Sequence, residues 1–170
     1  QTGKPVFKSD KLAGAAWTQA ITAAENWNQP GVFTTLHGFE WTSAPGGNNL
    51  HRTVIFRDGA DRVNQTLPFS AFDSSDPAEL WKYMYAYAKK TGGQVLAIPH
   101  NGNLSNGMMY SAETFDGKPM DRAYAEARAS HEPLLEVTQI KGDGETTPFL
   151  SPTDEFADFG RWNVDFGKMA

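Results

Sequence analysis

The sequence predicts an α/β fold: a mostly parallel sheet with one antiparallel hairpin, flanked by helices. Helical and strand-like hydrophobic periods alternate along the chain. The run Val95 to Ile98 is apolar at every position, as in a strand covered on both faces. Polar loops rich in glycine and asparagine follow the strand-like runs, where α/β sheets gather functional side chains.

From Lys11 to Trp27, Leu12, Ala16, Trp17, Ala20, Ile21 and Ala24 recur at helical spacing until Pro30-Gly31 stops them. Val32 to Trp41 reads as a buried strand and His51 to Phe56 as a second one. The connection Thr42 to Leu50 is short enough for an antiparallel pair. "SSDPAELW" places Asp76 as an N-cap, Pro77 at the first helical position and Glu79 three residues past the cap. Leu80, Tyr83, Met84, Tyr87 and Ala88 form the apolar stripe of that helix, and Gly92-Gly93 ends it. Val95 to Ile98 is the next strand, Pro119 to His131 a helix, Leu134 to Ile140 a strand, and "SPTDEFADF" a short capped helix.

The 170 residues, 39% hydrophobic and 12% aromatic, suit a single domain over 1–170. A domain of this size buries roughly 70% of its unfolded surface. A net charge of −5 and fifteen scattered basic residues argue against nucleic acid as a partner. Apolar stretches fall far short of the ~20 residues of a membrane helix, so no membrane partner is expected. Cysteine is absent, which leaves any metal to His, Asp and Glu. The opening "QTGKPVF" has neither an initiator Met nor a signal pattern and reads as a processed or excised piece. Together with the missing cysteine, that suggests a periplasmic or secreted protein.

Glu40 ends the first strand, His100 follows the third, and Lys141-Gly142-Asp143-Gly144-Glu145 follows the last. His51 opens the antiparallel partner and so returns to the rim beside Glu40. Singly, each is more often a solvated or structural residue than a ligand. Together, imidazole nitrogen and carboxylate oxygen are ligands for zinc, manganese or iron, ions able to generate hydroxide near neutral pH. "SAPGGNN" and "HNGNLSNG" offer Asn48, Asn49, Asn101 and Asn103 as amide donors to a small anionic substrate, with Glu145 beside them. The plainer reading of both loops is an ordinary surface turn. Lys141 and Arg52 are candidates to neutralise developing negative charge, or else surface charges paired with Asp143 or Glu145. His37 alternates with Glu40 and should face a helix layer, and His131 sits at a helix end; both read as structural. Nucleophile-elbow, Walker, dinucleotide-binding and H-E-X-X-H motifs are missing from the sequence.

"FTTLHGFEWTSAPGGNNLHRTVIFRDGADRVNQTLPFSAFDSSDPAELW", "VLAIPHNGNLSNGMM", "EPLLEVTQIKGDGETTP" and "LSPTDEFADF" closely resemble the bacterial family called domain of unknown function three-six-zero-four. That family is grouped with the polymerase and histidinol phosphatase (PHP) superfamily of metal-dependent phosphoesterases. The resemblance implies a distorted β/α barrel with divalent ions at the carboxyl ends of its strands. Gly38-Phe39-Glu40 matches its glycine-X-glutamate strand end, and His51 and His100 match later histidines, which makes Glu40, His51 and His100 the implied metal ligands. The superfamily's His-X-His, Asp-His and Asp-X-His motifs are absent from this sequence. The chain therefore reads as the central fragment of such a barrel, inactive by itself and open to self-association through unpaired sheet edges. The implied function is metal-dependent hydrolysis, with metal-bound hydroxide attacking a phosphoester or similar bond. The alternative is a non-catalytic binding or structural module.

Overall fold

The computed structural model of this protein describes residues 10–144, 148–149, 151–155 and 157. Helix α1 spans Asp10–Trp27, close to the periodic segment. From its expected stripe only Trp17 and Ile21, one turn apart, are deeply buried, while Leu12 is exposed. Strand β1 is confined to His37–Trp41, because Gly31 adopts a positive φ and Phe33 bridges back to Gln29, holding Val32 to Leu36 off the ladder. Strand β2, Arg52–Phe56, pairs antiparallel with β1, with Glu40 opposite Thr53.

The connection from β2 decides the topology. A short helix α2, Ala60–Val63, follows β2, and helix α3, Pro77–Thr91, follows a polar stretch. The Ser43 hydroxyl donates to Ser75 O at 2.8 Å, so the chain has already travelled back to the far end of the hairpin when α3 begins. The Tyr87 hydroxyl donates to Asp58 Oδ2 at 2.9 Å, so α3 returns it to the end where β2 stopped. Strand β3, Val95–Pro99, must then run opposite to β2, with Arg52 facing Pro99 and Phe56 facing Val95.

The sheet β1-β2-β3 is therefore antiparallel throughout, and the expected parallel sheet and barrel closure are not found among the described residues. β3 is an outer strand, and its inward residues Ala97 and Pro99 are buried while Val95, Leu96 and Ile98 are half-covered. An all-apolar run here marks one buried and one half-open face, not two buried ones.

Helix α3 matches its local signals. The Asp76 carboxylate accepts from Ala78 N at 2.8 Å, and Gly92 closes the helix in the left-handed region at φ 66°. Glu79 pairs with Lys82 at 2.6 Å. Helix α4, Arg122–His131, starts three residues later than Pro119, where Asp121 accepts from Tyr124 N. The expected strand over Leu134 to Ile140 reduces to β4, Thr138–Gln139, hairpinned to β5, Gly142–Asp143. Leu134, Leu135 and Val137 lie exposed before and beside it. In the "SPTDEFADF" stretch the described residues form turns rather than the expected helix; Phe156, Asp158 and Phe159 lie outside them.

The core lies on one face of the sheet. Trp41, Val54, Phe56 and Ala97 meet Trp17 and Ile21 from α1 and Leu80, Trp81, Met84 and Tyr87 from α3. Arg52 points the same way, its side chain only 2% exposed. Arg52 Nε donates to Glu132 Oε1 at 2.9 Å, Trp81 Nε1 donates to the same oxygen at 2.8 Å, and Arg52 Nη1 donates to Leu50 O at 2.6 Å. The Glu132 side chain is 1% exposed. Its Oε2 faces Arg128 Nε at 3.4 Å without hydrogen-bond alignment. One carboxylate thus ties β2, α3 and the end of α4 together. No helix among the described residues is long and apolar enough to cross a membrane.

Because removing one partner of a buried pair strands the other charge, Glu132→Ala should cost about 3–5 kcal/mol of unfolding free energy, read from urea melts. A loss under about 1 kcal/mol, the range of exposed ion pairs, would show that the pair is not buried as described.

Candidate metal centre

Side chains alternate across a strand, so the register sets what shares a face. Glu40 stands opposite Thr53. His51 lies two residues before Thr53 on the same strand path, and His100 follows β3 with its backbone N donating to His51 O at 3.3 Å. Glu40, His51, Thr53 and His100 therefore project from the face opposite the core.

Two imidazoles converge on one carboxylate oxygen. His51 Nδ1 lies 3.1 Å from Glu40 Oε1, and His100 Nε2 lies 3.0 Å from that same atom. The two rings meet edge to face with centroids 5.8 Å apart. One ligand atom from each of the three residues lies within 4.8 Å of the others. The imidazoles are 20% and 15% exposed and Glu40 is 51% exposed, so the histidines form the floor and the carboxylate the open side.

The His51 pKa is held below the ordinary imidazole value of 6.5, chiefly by burial; Glu40 opposes the shift, while His100 and the positive Lys141 add to it. At neutral pH His51 is uncharged, and a neutral imidazole is the form that ligates a cation.

The flanking loops hold this geometry. His51 N donates to Asn49 Oδ1 at 2.9 Å, and Asn49 N donates to Leu104 O at 3.0 Å, joining the loop before β2 to the loop after β3. Asn101 sits at φ 56°, and its backbone N donates to Glu136 Oε2 at 2.8 Å. Asn48 donates to Pro45 O at 3.1 Å, and Asn103 to Lys141 O at 3.3 Å. The amide side chains of Asn48, Asn49 and Asn103 thus build the loops. Asn101 is buried, with Oδ1 lacking a partner among the described residues.

Of the charge-neutralising candidates, Lys141 lies exposed in the turn between β4 and β5, within electrostatic reach of His51. Arg52 is not brought to the centre: one residue after His51, it faces the core and is committed to Glu132. Glu145 lies outside the described residues. His37 is buried against α1, with Nε2 2.7 Å from Glu25 Oε1, and His131 Nδ1 donates to Ala127 O at 2.8 Å; both hold the structural positions expected of them. Two contributors escaped the sequence reading. Thr53 was legible in principle, lying two residues after His51 in a strand, but Glu136 gave no local signal.

A model of the family described as "Protein of unknown function (DUF3604)" matches residues 2–169 of this chain. No curated protein and no solved structure matches it.

In an NMR titration His51 should show a midpoint below 6.5, moving upward in Lys141→Ala as a positive neighbour is lost. The unfolded chain binds this proton more readily than the folded one. The stability tied to His51 is thus fully present above pH 6.5 and lost as pH falls through the lower folded-state midpoint. A midpoint at or above 6.5 would contradict the buried, Lys141-facing setting.

Proposed function

This chain belongs to that family, and we propose that it carries the metal site of a hydrolase of the PHP phosphoesterase type, with Glu40, His51 and His100 as ligands of a divalent ion. The observation that supports this reading above the rest is the convergence of two imidazole nitrogens on one carboxylate oxygen from three different strand ends. Two nitrogens and an oxygen suit zinc, manganese or iron. Three protein ligands also leave coordination positions for water and substrate, as in catalytic rather than structural zinc sites. The match of Gly38-Phe39-Glu40, His51 and His100 to the superfamily's motifs supports the same assignment.

When bound, the ion would supply Lewis acidity toward a phosphoryl oxygen and water activation near neutral pH. The chain's own groups supply the rest. Glu40 brings the negative charge that offsets the cation, and its exposure keeps the centre open to a small substrate. His51, uncharged at neutral pH, has a lone pair to give. Lys141, exposed and close enough to act on His51, offers positive charge to an anionic phosphoester as negative charge develops on it. Arg52 has no part in this chemistry, since its guanidinium lies under the other face of the sheet.

Titration calorimetry with zinc and with manganese tests the site. Glu40→Gln and His100→Ala should each weaken binding by at least about 100-fold, since even groups that only orient a ligand are worth about 10–100-fold. Hydrolysis of an aryl phosphate that depends on added ion, is abolished by chelator and falls in both variants tests the activity. Unchanged ion affinity in both variants would overturn the proposal.

A further inference from the structure

We infer that Thr53 is a positioning residue for this centre: its hydroxyl orients the His100 ring and accepts the hydrogen bond of Nδ1–H when Nε2 turns its lone pair to an ion. The inference rests on the metal reading above, but its geometry is independent. Thr53 Oγ1 lies 3.3 Å from His100 Nδ1. Thr53 stands on the central strand, opposite Glu40 on one side and Ile98 on the other, so it lies between the strands that present Glu40 and His100.

Glu40 Oε1, 3.0 Å from His100 Nε2, can only accept while ionised, so without an ion His100 carries its proton on Nε2. Its Nδ1 is then an acceptor, and the Thr53 hydroxyl donates to it. A bound cation needs the Nε2 lone pair, and the neutral ring must then carry its proton on Nδ1. The Nε2 proton leaves to water and another arrives at Nδ1, so the net charge of the ring is unchanged. A hydroxyl both donates and accepts, so Thr53 satisfies Nδ1 in either tautomer without moving. A backbone carbonyl or carboxylate there could serve only one of the two forms. The outer nitrogen of a metal-bound histidine is commonly held in this way, which fixes ring orientation and tautomer.

Zinc titration of the full chain as wild type, Thr53→Val and Thr53→Ser tests the inference. Thr53 is exposed in a strand and valine keeps its shape and strand preference, so Thr53→Val should fold, with thermal melts of both variants as the control. Thr53→Val should weaken zinc binding about 10–100-fold while Thr53→Ser, which keeps the hydroxyl, stays within about threefold of wild type. Wild-type affinity in Thr53→Val would overturn this inference and leave the metal reading standing. Equal losses in both variants would also overturn it, since serine supplies the same hydroxyl. A wild-type chain that binds no zinc, manganese or iron would overturn both.

Discussion

The antiparallel register of three short strands is the constraint on which the rest of this structure depends. It places Glu40 against Thr53 and Arg52 against both Trp41 and Pro99, and the pleat does the rest. Each residue of the candidate metal centre is the sequence neighbour of a residue buried on the other face: Glu40 beside Trp41, His51 beside Arg52, His100 beside Pro99. Burying the neighbour aims the side chain at the open face. A one-residue slip in β1 or β2 would send Trp41 or Arg52 to the open face and turn Glu40 or His51 toward the core.

The two faces treat charge differently. On the core face Arg52 is surrounded by Glu132, the Leu50 carbonyl and the Trp41 ring, so its charge holds three elements together. Such a pair is costly to desolvate and is tolerated because its hydrogen bonds are well made. On the open face Glu40 is half exposed and its partners are imidazoles, one of them held uncharged at neutral pH by burial. That leaves a carboxylate whose charge is only weakly balanced, the electrostatic setting in which a cation is most welcome. The hydrogen bonds from Asn49 to Leu104 and from Asn101 to Glu136 hold the flanking loops, so Glu40, His51 and His100 sit on a framework and not on free turns.

Features written in local chemistry were legible in the sequence. The start and stop of α3 needed only Asp76, Pro77 and Gly92, and α1 only its periodicity. The hairpin of β1 and β2 followed from a short connection, and the grouping of Glu40, His51 and His100 from strand ends facing one rim. The direction of β3 was not legible. Alternation of strand and helix implies a crossover only if the helix carries the chain to the opposite end of the sheet. Here the stretch between Arg57 and Asp76 makes that journey first, fixed by a hydroxyl of Ser43 meeting the backbone of Ser75. The strand expected over Leu134 to Ile140 shortened to β4 for a related reason: β propensity marks residues that suit a ladder, and Glu136 N makes one bond to Pro99 O, at the end of β3, without a ladder following it.

By itself, then, the sequence determined α1, α3 and the body of α4, the caps of α3, which two strands form a hairpin, and that one carboxylate and two imidazoles sit at strand ends. Only the tertiary structure decided that the third strand runs antiparallel, that Arg52 belongs to Glu132 rather than to a substrate, and that Thr53 stands behind His100. The physical reason is range. Capping, periodicity and tight connections act over a few residues, whereas Arg52 meets a partner eighty residues away and Thr53 one forty-seven residues away, contacts that exist only once the chain has closed on itself.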